Sequence, residues 1–532
     1  MHSVCFSPCA VSVVCVSYVS AYSCDCSGSC LASTTTGNYL GVRDSDGVHF
    51  LSIRYAKPPV ESSRFADPVP FVPSQNVTYD ASSLPPFCIQ YTTYQSEDCL
   101  FSNVFRPEYS ENERPLPVMF WIHGGSLLVG GTPDPTIYGA NLAKAKNMIV
   151  VTVQYRLGSL GLFDDGYNTN FAVKDVILAS KWVKKNIGKF NGDPSLITIA
   201  GQSSGGTMIR ALMSTIQTVG IFTRAISMSD PMGYGFNKRS TSVNLITGMI
   251  YNATGCSDIS CMRGLSLTDI SNAQGAVVSN GPGTYPEINY AQPFSPVIDK
   301  TLIMNDFSTY VERGNSPIQV PMVVGTVADE GNSQVEDVVS SPVSVAYYPI
   351  ILTEFLGAKR AALLLATQQF LPDPSKDDST RLELAFVGKL FYWTCAVQRM
   401  ALSYFSNMRK MVYIYETEAG ITYPANADSS LCQAKYVCHE SDIEPSFGTY
   451  NASAVTRAQI AVSQEIQERW YQFIKTGNPN SGSYAYWKPL RSTLKLNLLK
   501  IGKSKVVSKL YPDKCSLIFG RVVKFDYQLY SQ

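Results

Sequence analysis

Histidine is scarce in this chain: four occur among 532 residues. Metal sites favour Cys-x-x-Cys spacings with histidine nearby, so this shortage weakens a zinc reading, and neither a metal nor an organic cofactor is expected. An excess of charge is also lacking. Lys and Arg number 43 against 42 Asp and Glu, a formal net charge of +1, which leaves nothing to neutralise a phosphate backbone or hold an anionic bilayer. Nucleic acid is therefore not an expected partner. Beyond the N-terminus no segment approaches the roughly 18 uninterrupted apolar residues of a membrane helix, and the C-terminal FDYQLYSQ has neither a lipidation box nor a hydrophobic tail. Internal repeats, charge blocks and Pro-rich tracts are absent, while 45% of the chain is hydrophobic and only 16% charged, a composition that can bury a large core.

The N-terminus lacks Lys or Arg before Arg43, so the positive n-region of an export signal is missing. An apolar run of h-region length, AVSVVCVSYVS from Ala10 to Ser20, is nevertheless followed by small residues at Ala21 and Ser23. Residues 1–23 read as a signal peptide and 32–532 as a single domain; a retained Cys-rich leader or a misplaced start is the alternative. A secreted protein is the expectation. Fourteen cysteines are present, and several outside the leader recur as close pairs: Cys88 with Cys99, Cys256 with Cys261, and Cys432 with Cys438. Such short pairs suit disulfides, whereas Cys24, Cys26, Cys30, Cys395 and Cys515 stay unassigned. Glycosylation sequons stand at Asn76, Asn252 and Asn451.

Strand-like runs alternate with helix-like ones over most of the length, which predicts an α/β fold. The clearest strands are Val118–Ile122, Met148–Val153, Leu196–Ala200, Ala225–Met228, Val320–Gly325 and Met411–Tyr415. Several are apolar on both faces, as in a mostly parallel central sheet covered by helices on both sides. Helical periodicity is strongest over Val173–Asn186 and Ala458–Lys475. The stretches from about Asp230 to Pro321 and from Ser340 to Met411 are too long for loops and are expected as helical lid and pocket insertions.

Directly after the strand LITIA comes Gly201-Gln202-Ser203-Ser204-Gly205-Gly206, then the helix-like TMIRALMS. Gly-x-Ser-x-Gly between strand and helix makes a sharp turn that lifts the serine hydroxyl above the sheet, with glycines where a Cβ would clash. That hydroxyl needs a base, and imidazole titrates in the right range. His2 lies in the leader, His49 in a hairpin-like stretch and His123 at the end of a buried strand, which leaves His439. A carboxylate between the two, at a strand end, would orient the imidazole. The strand VPMVVG leads into Asp329-Glu330, and either could serve. His123-Gly124-Gly125-Ser126 after VMFWI is a donor loop for developing negative charge. Its expected N–H groups are those of Gly125 and Ser126, with that of Ser204.

With these pieces the chain resembles the type-B carboxylesterases, the family of carboxylesterases, cholinesterases and fungal lipases. The resemblance runs from about Gly37 to Cys515 through FLSIRYAKPPVESSRF (50–65), SEDCLFSNV (96–104), WIHGG (121–125), VTVQYRLGSLGLF (151–163), KWVKKNIGKFNGDP (181–194), the serine turn, ADEG (328–331), CHESDIEPSFG (438–448) and TGNPN (476–480). It implies an α/β-hydrolase fold and makes Glu330 rather than Asp329 the triad acid. The pairs Cys88–Cys99 and Cys256–Cys261 match the family's disulfides, and its buried ion pairs map to Arg64 with Glu97 and Arg156 with Asp175. The implied activity is hydrolysis of uncharged carboxylic or lipid esters through an acyl-enzyme on Ser203; the alternative is a catalytically weak, cholinesterase-like adhesion or storage protein. Departures from the pattern include Gln202 where Glu is usual and Ser126 in place of the third glycine. Val176 follows Asp175 where Gln is usual, and the short Cys88–Cys99 loop has no tryptophan. The last, with Gln202, argues against choline esters.

Overall fold

The computed structural model describes residues 22–24, 28–74, 77–108, 114–433, 435–515 and 523–530. Asn76, Cys26 and residues 1–21, which carry nearly all of the expected leader, lie outside the described residues.

Sixteen strands are described: β1 (Tyr22–Cys24), β2 (Ser29–Thr34), β3 (Gly37–Asp44), β4 (Gly47–Arg54), β5 (Thr78–Asp80), β6 (Phe101–Arg106), β7 (Leu116–Ile122), β8 (Ile149–Val153), β9 (Gly192–Gln202), β10 (Arg224–Met228), β11 (Asn237–Lys238), β12 (Val297–Ile298), β13 (Met322–Val327), β14 (Val412–Thr417), β15 (Leu498–Ile501) and β16 (Lys505–Val507). One large mixed sheet has the order β1-β2-β3-β4-β6-β8-β7-β9-β10-β13-β14-β15-β16, with β5 beside β3. From β8 to β15 every pairing is parallel, flanked by antiparallel strands at both ends. Side chains alternate across a strand, and β7 divides accordingly. Val118, Phe120 and Ile122 join the core that includes Trp182 and Met208, whereas Met119 and Trp121 join the one with Trp470 and Phe473. The helices Phe171–Asn186 and Ser204–Met213 thus cover one face and Arg457–Thr476 the other. This α/β-hydrolase architecture agrees with the continuous apolar runs, since neither face of the central strands meets water.

Both long stretches expected as insertions are helical. Gly248–Thr254, Ile259–Gly264 and Leu267–Thr284 occupy the first, while Tyr348–Leu356, Ala358–Ala366, Ser379–Gly388 and Cys395–Ser403 occupy the second. The three expected disulfides form, together with Cys24–Cys30 and Cys395–Cys515. Asn252 and Asn451 are exposed.

Arg64 meets Glu97 through two bonds of 2.7 Å, and Arg156 meets Asp175 at 2.8 and 2.7 Å. A third pair, Arg210 with Asp230 at 2.9 and 3.0 Å, is fully buried. Removing one partner strands a charge where water cannot solvate it. Arg156→Met is accordingly expected to destabilise the protein by roughly 3–5 kcal/mol, read as a lower midpoint in guanidinium unfolding.

Candidate active site

Strand β9 ends at Gln202, and Ser203 turns the chain with φ 55° and ψ −125° into the helix Ser204–Met213. This backbone conformation is costly, of order 1–3 kcal/mol, and persists only where neighbours over-determine it. Here the Ser203 N–H donates to Met228 O (2.9 Å), and the Ser203 carbonyl accepts from the N–H groups of Gly206 (2.8 Å) and Thr207 (3.2 Å). Glycine is required beside it because a Cβ on Gly205 would lie 2.2 Å from Ile122 O.

His439 follows the Cys432–Cys438 bridge. Its Nδ1 lies 2.6 Å from Glu330 Oε2, and the other carboxylate oxygen of Glu330 accepts the Val327 N–H at 2.9 Å. Glu330 is completely buried. Asp329 points elsewhere: its Oδ2 accepts the Val437 N–H (2.8 Å), while its own N–H donates to Val437 O (2.9 Å). Asp329 therefore clamps the loop that carries His439, and Glu330 faces the ring. Burial lowers the imidazole's pKa, but the Glu330 carboxylate and its hydrogen bond, helped by Glu440 and Asp442, outweigh this and hold it above the ordinary value.

The other described histidines are committed. His49 is buried with Nε2 3.0 Å from Asp44. His123 stacks on Tyr155 at 4.4 Å, and burial pushes its pKa down to about 4.

The loop after β7 has three successive residues at positive φ, Gly125 (105°), Ser126 (56°) and Leu127 (61°). A Cβ on Gly125 would fall 2.2 Å from Val129 O, and the Leu127 N–H donates to Ser204 Oγ at 3.1 Å. Among the described residues no hydrogen bond takes up the N–H groups of Gly125, Ser126 or Ser204. Gly125, Ser126, Ser203 and His439 all border one cavity of about 620 Å³, roofed by the insertions through Val278, Phe355 and Tyr392.

Several site residues escaped the sequence reading. Trp393 sits on a π-helical turn, Lys389–Thr394, and its ring lies 5.4 Å from that of His439 while its Nε1 donates to Ser229 O. Helical periodicity gives no hint of such a turn. Glu440 and Asp442, next to the imidazole in sequence, are pushed up to about 7 chiefly by loss of hydration. Gln202, noted only as a departure, has its amide nitrogen 3.1 Å from His439 Nε2.

The model of the carboxylesterase family matches residues 31–518. Carboxylesterase 4A of Bos taurus is 29% identical over 490 residues, covering 82% of this chain and 84% of that protein. Para-nitrobenzyl esterase of Bacillus subtilis is 28% identical over 516 residues, 91% of this chain and 99% of its own. A solved PNB esterase structure superposes with a TM-score of 0.74 at 25% identity, covering 88% of this chain and 95% of that one. Among the described residues no helix is long and apolar enough to cross a membrane.

Proposed function

The chain belongs to the carboxylesterase family and is a carboxylic ester hydrolase, and on that premise we propose that Ser203 is its nucleophile, His439 its base and Glu330 the acid that orients the base. The observation that carries the assignment is the 2.6 Å bond from Glu330 to His439 Nδ1 beneath the cavity that Ser203 also borders. A proton on Nδ1 leaves a lone pair on Nε2. That lone pair takes the Ser203 proton as Oγ attacks the ester carbonyl. Negative charge gathering on the carbonyl oxygen falls to the N–H groups of Gly125, Ser126 and Ser204, each such donor being worth about 3–4 kcal/mol at the transition state. His439 then protonates the departing alcohol, and water repeats the sequence to free the acid.

Uncharged esters are the proposed substrates. Supporting this, the pocket wall is largely apolar and aromatic, and loss of hydration pushes the Glu440 carboxyl up to about 7, which lessens its negative charge near neutral pH. Tyr91, from the Cys88–Cys99 loop, borders the cavity, and that loop holds no indole, the ring that binds a quaternary ammonium best. Export is part of the same proposal, supported by five disulfides among the described residues, as is a single working unit over 32–532. The matched relatives carry esterase names, which does not favour the adhesion or storage alternative.

The test is a panel of p-nitrophenyl esters of graded acyl length beside a choline ester, followed across pH. Turnover should favour the uncharged esters. It should fall in acid as His439 gains a proton, and because that pKa is held above its ordinary value, the half-maximal point should lie above about pH 6.5. A flat profile through this range removes His439 from the mechanism, and faster turnover of the choline ester removes the substrate class.

A further inference from the structure

At the end of β9 the Gln202 side chain is completely buried. Its Nε2 lies 3.1 Å from His439 Nε2, while its Oε1 has no hydrogen-bond partner among the described residues. Two nitrogens at this separation bond only if one donates, and the imidazole fixes which. Glu330 accepts the hydrogen bond from Nδ1–H and so keeps the proton there, which leaves Nε2 with a lone pair and makes the carboxamide N–H the donor. A carbonyl oxygen turned toward that lone pair would be repelled, which accounts for an amide that leaves its own oxygen unpaired beside Gly124, where a Cβ would lie 2.8 Å from it. Among the described residues no hydrogen bond joins Ser203 Oγ to His439.

We propose that Gln202 holds the catalytic base in check, its carboxamide N–H occupying in the resting enzyme the same Nε2 lone pair that must receive the Ser203 proton. This rests on the assignment of Ser203 and His439 above. Each turnover must exchange the amide N–H for the serine O–H before Oγ can pass its proton to Nε2, so Gln202 acts through His439 as a positioning residue and touches no substrate. A carboxylate at this position could not play the part. It has no proton to give, would leave the lone pair to Ser203, and would favour the imidazolium formed during attack. An amide donor does the reverse on both counts, because it stabilises the neutral ring.

Full-chain Gln202→Met and Gln202→Glu variants test this through the pH dependence of p-nitrophenyl acetate hydrolysis. The groups facing His439 are Glu330, Glu440 and Asp442, with the Trp393 ring. Glu440 and Asp442, both pushed up to about 7, titrate near the imidazole, so the reading is the difference between variant and wild type. Gln202→Met, which keeps the volume and loses the donor, should raise kcat by about 3- to 10-fold, the worth of one freed hydrogen bond. Its acid limb should move up by roughly half to one pH unit. Gln202→Glu should move the limb further in the same direction. A residue that merely fills space would lower kcat and leave the limb in place. Limbs of both variants within about 0.2 unit of wild type would overturn the proposal, being a difference below what one hydrogen bond supplies. If one variant does not fold, the limb of the other decides. A Ser203→Ala control separates the two levels: equal hydrolysis with and without the serine hydroxyl overturns the triad and this inference with it, whereas serine-dependent hydrolysis with an unmoved limb overturns this inference alone.

Discussion

Ser203→Ala is expected to lower kcat by about 10⁶-fold, because nucleophile and base act as a unit and the loss of either costs nearly as much as the loss of both. Stability should change little. Alanine keeps the Cβ that the strained φ of 55° already tolerates, and it removes only a hydroxyl outside the hydrogen bonds that hold the turn, which run through the backbone N–H and carbonyl of Ser203. A residual rate of about 10³ to 10⁴ over water should survive, since the N–H donors of Gly125, Ser126 and Ser204 belong to the backbone and are untouched. His439→Ala should fall to a similar level, and the double variant should be barely worse. Initial rates with a p-nitrophenyl ester measure this, and intact mass after reaction with a fluorophosphonate shows one adduct per chain in wild type and none in Ser203→Ala. An adduct that persists in the alanine variant places the nucleophile elsewhere.

What the sequence revealed of the fold follows from physics that is local along the chain. Strands buried on both faces must be apolar throughout, so all six expected strands are present with shifted ends. The shifts come from partners rather than from composition. Strand β9 begins at Gly192 instead of Leu196 because Gly192 pairs with Leu116, and β13 begins at Met322 instead of Val320, where the Val320 N–H is taken by the Tyr404 hydroxyl. The serine turn was legible because glycines mark positions where side chains would collide, and His439 stood out because so few histidines compete. Contacts made at long range were not legible. The Cys395–Cys515 bridge spans 120 residues, Trp393 reaches the imidazole only through an irregular turn, and Arg210 finds Asp230 across the packing of a helix on the strand β10. Gln202 stood out as an unusual residue, yet what it bonds depends on an imidazole 237 positions away.

Two adjacent acids then provide the sharpest test of the geometry. Glu330→Gln is expected to lower kcat by about 10⁴-fold. The carboxylate both accepts the hydrogen bond from Nδ1–H and offsets the charge of the imidazolium. An amide can turn its NH₂ toward Nδ1, which drives the proton to Nε2 and leaves no lone pair for Ser203. The accompanying stability change should be small, because Gln can still accept the Val327 N–H that Glu330 accepts at 2.9 Å. Asp329→Asn should leave kcat far closer to wild type. Its Oδ2 serves a backbone N–H, a task the carbonyl of Asn performs as well, and burial already pushes the Asp329 carboxyl upward, so losing its charge costs little. A decrease in kcat of less than about 10-fold and a stability change of roughly 1 kcal/mol are expected. Measured together, kcat across pH and the thermal unfolding midpoint separate an acid that speaks to the ring from one that holds its loop. Were Asp329→Asn the variant to lose four orders of magnitude, the third member of the triad would be Asp329, and the 2.6 Å bond between Glu330 and His439 would have to be read as a feature of the fold alone.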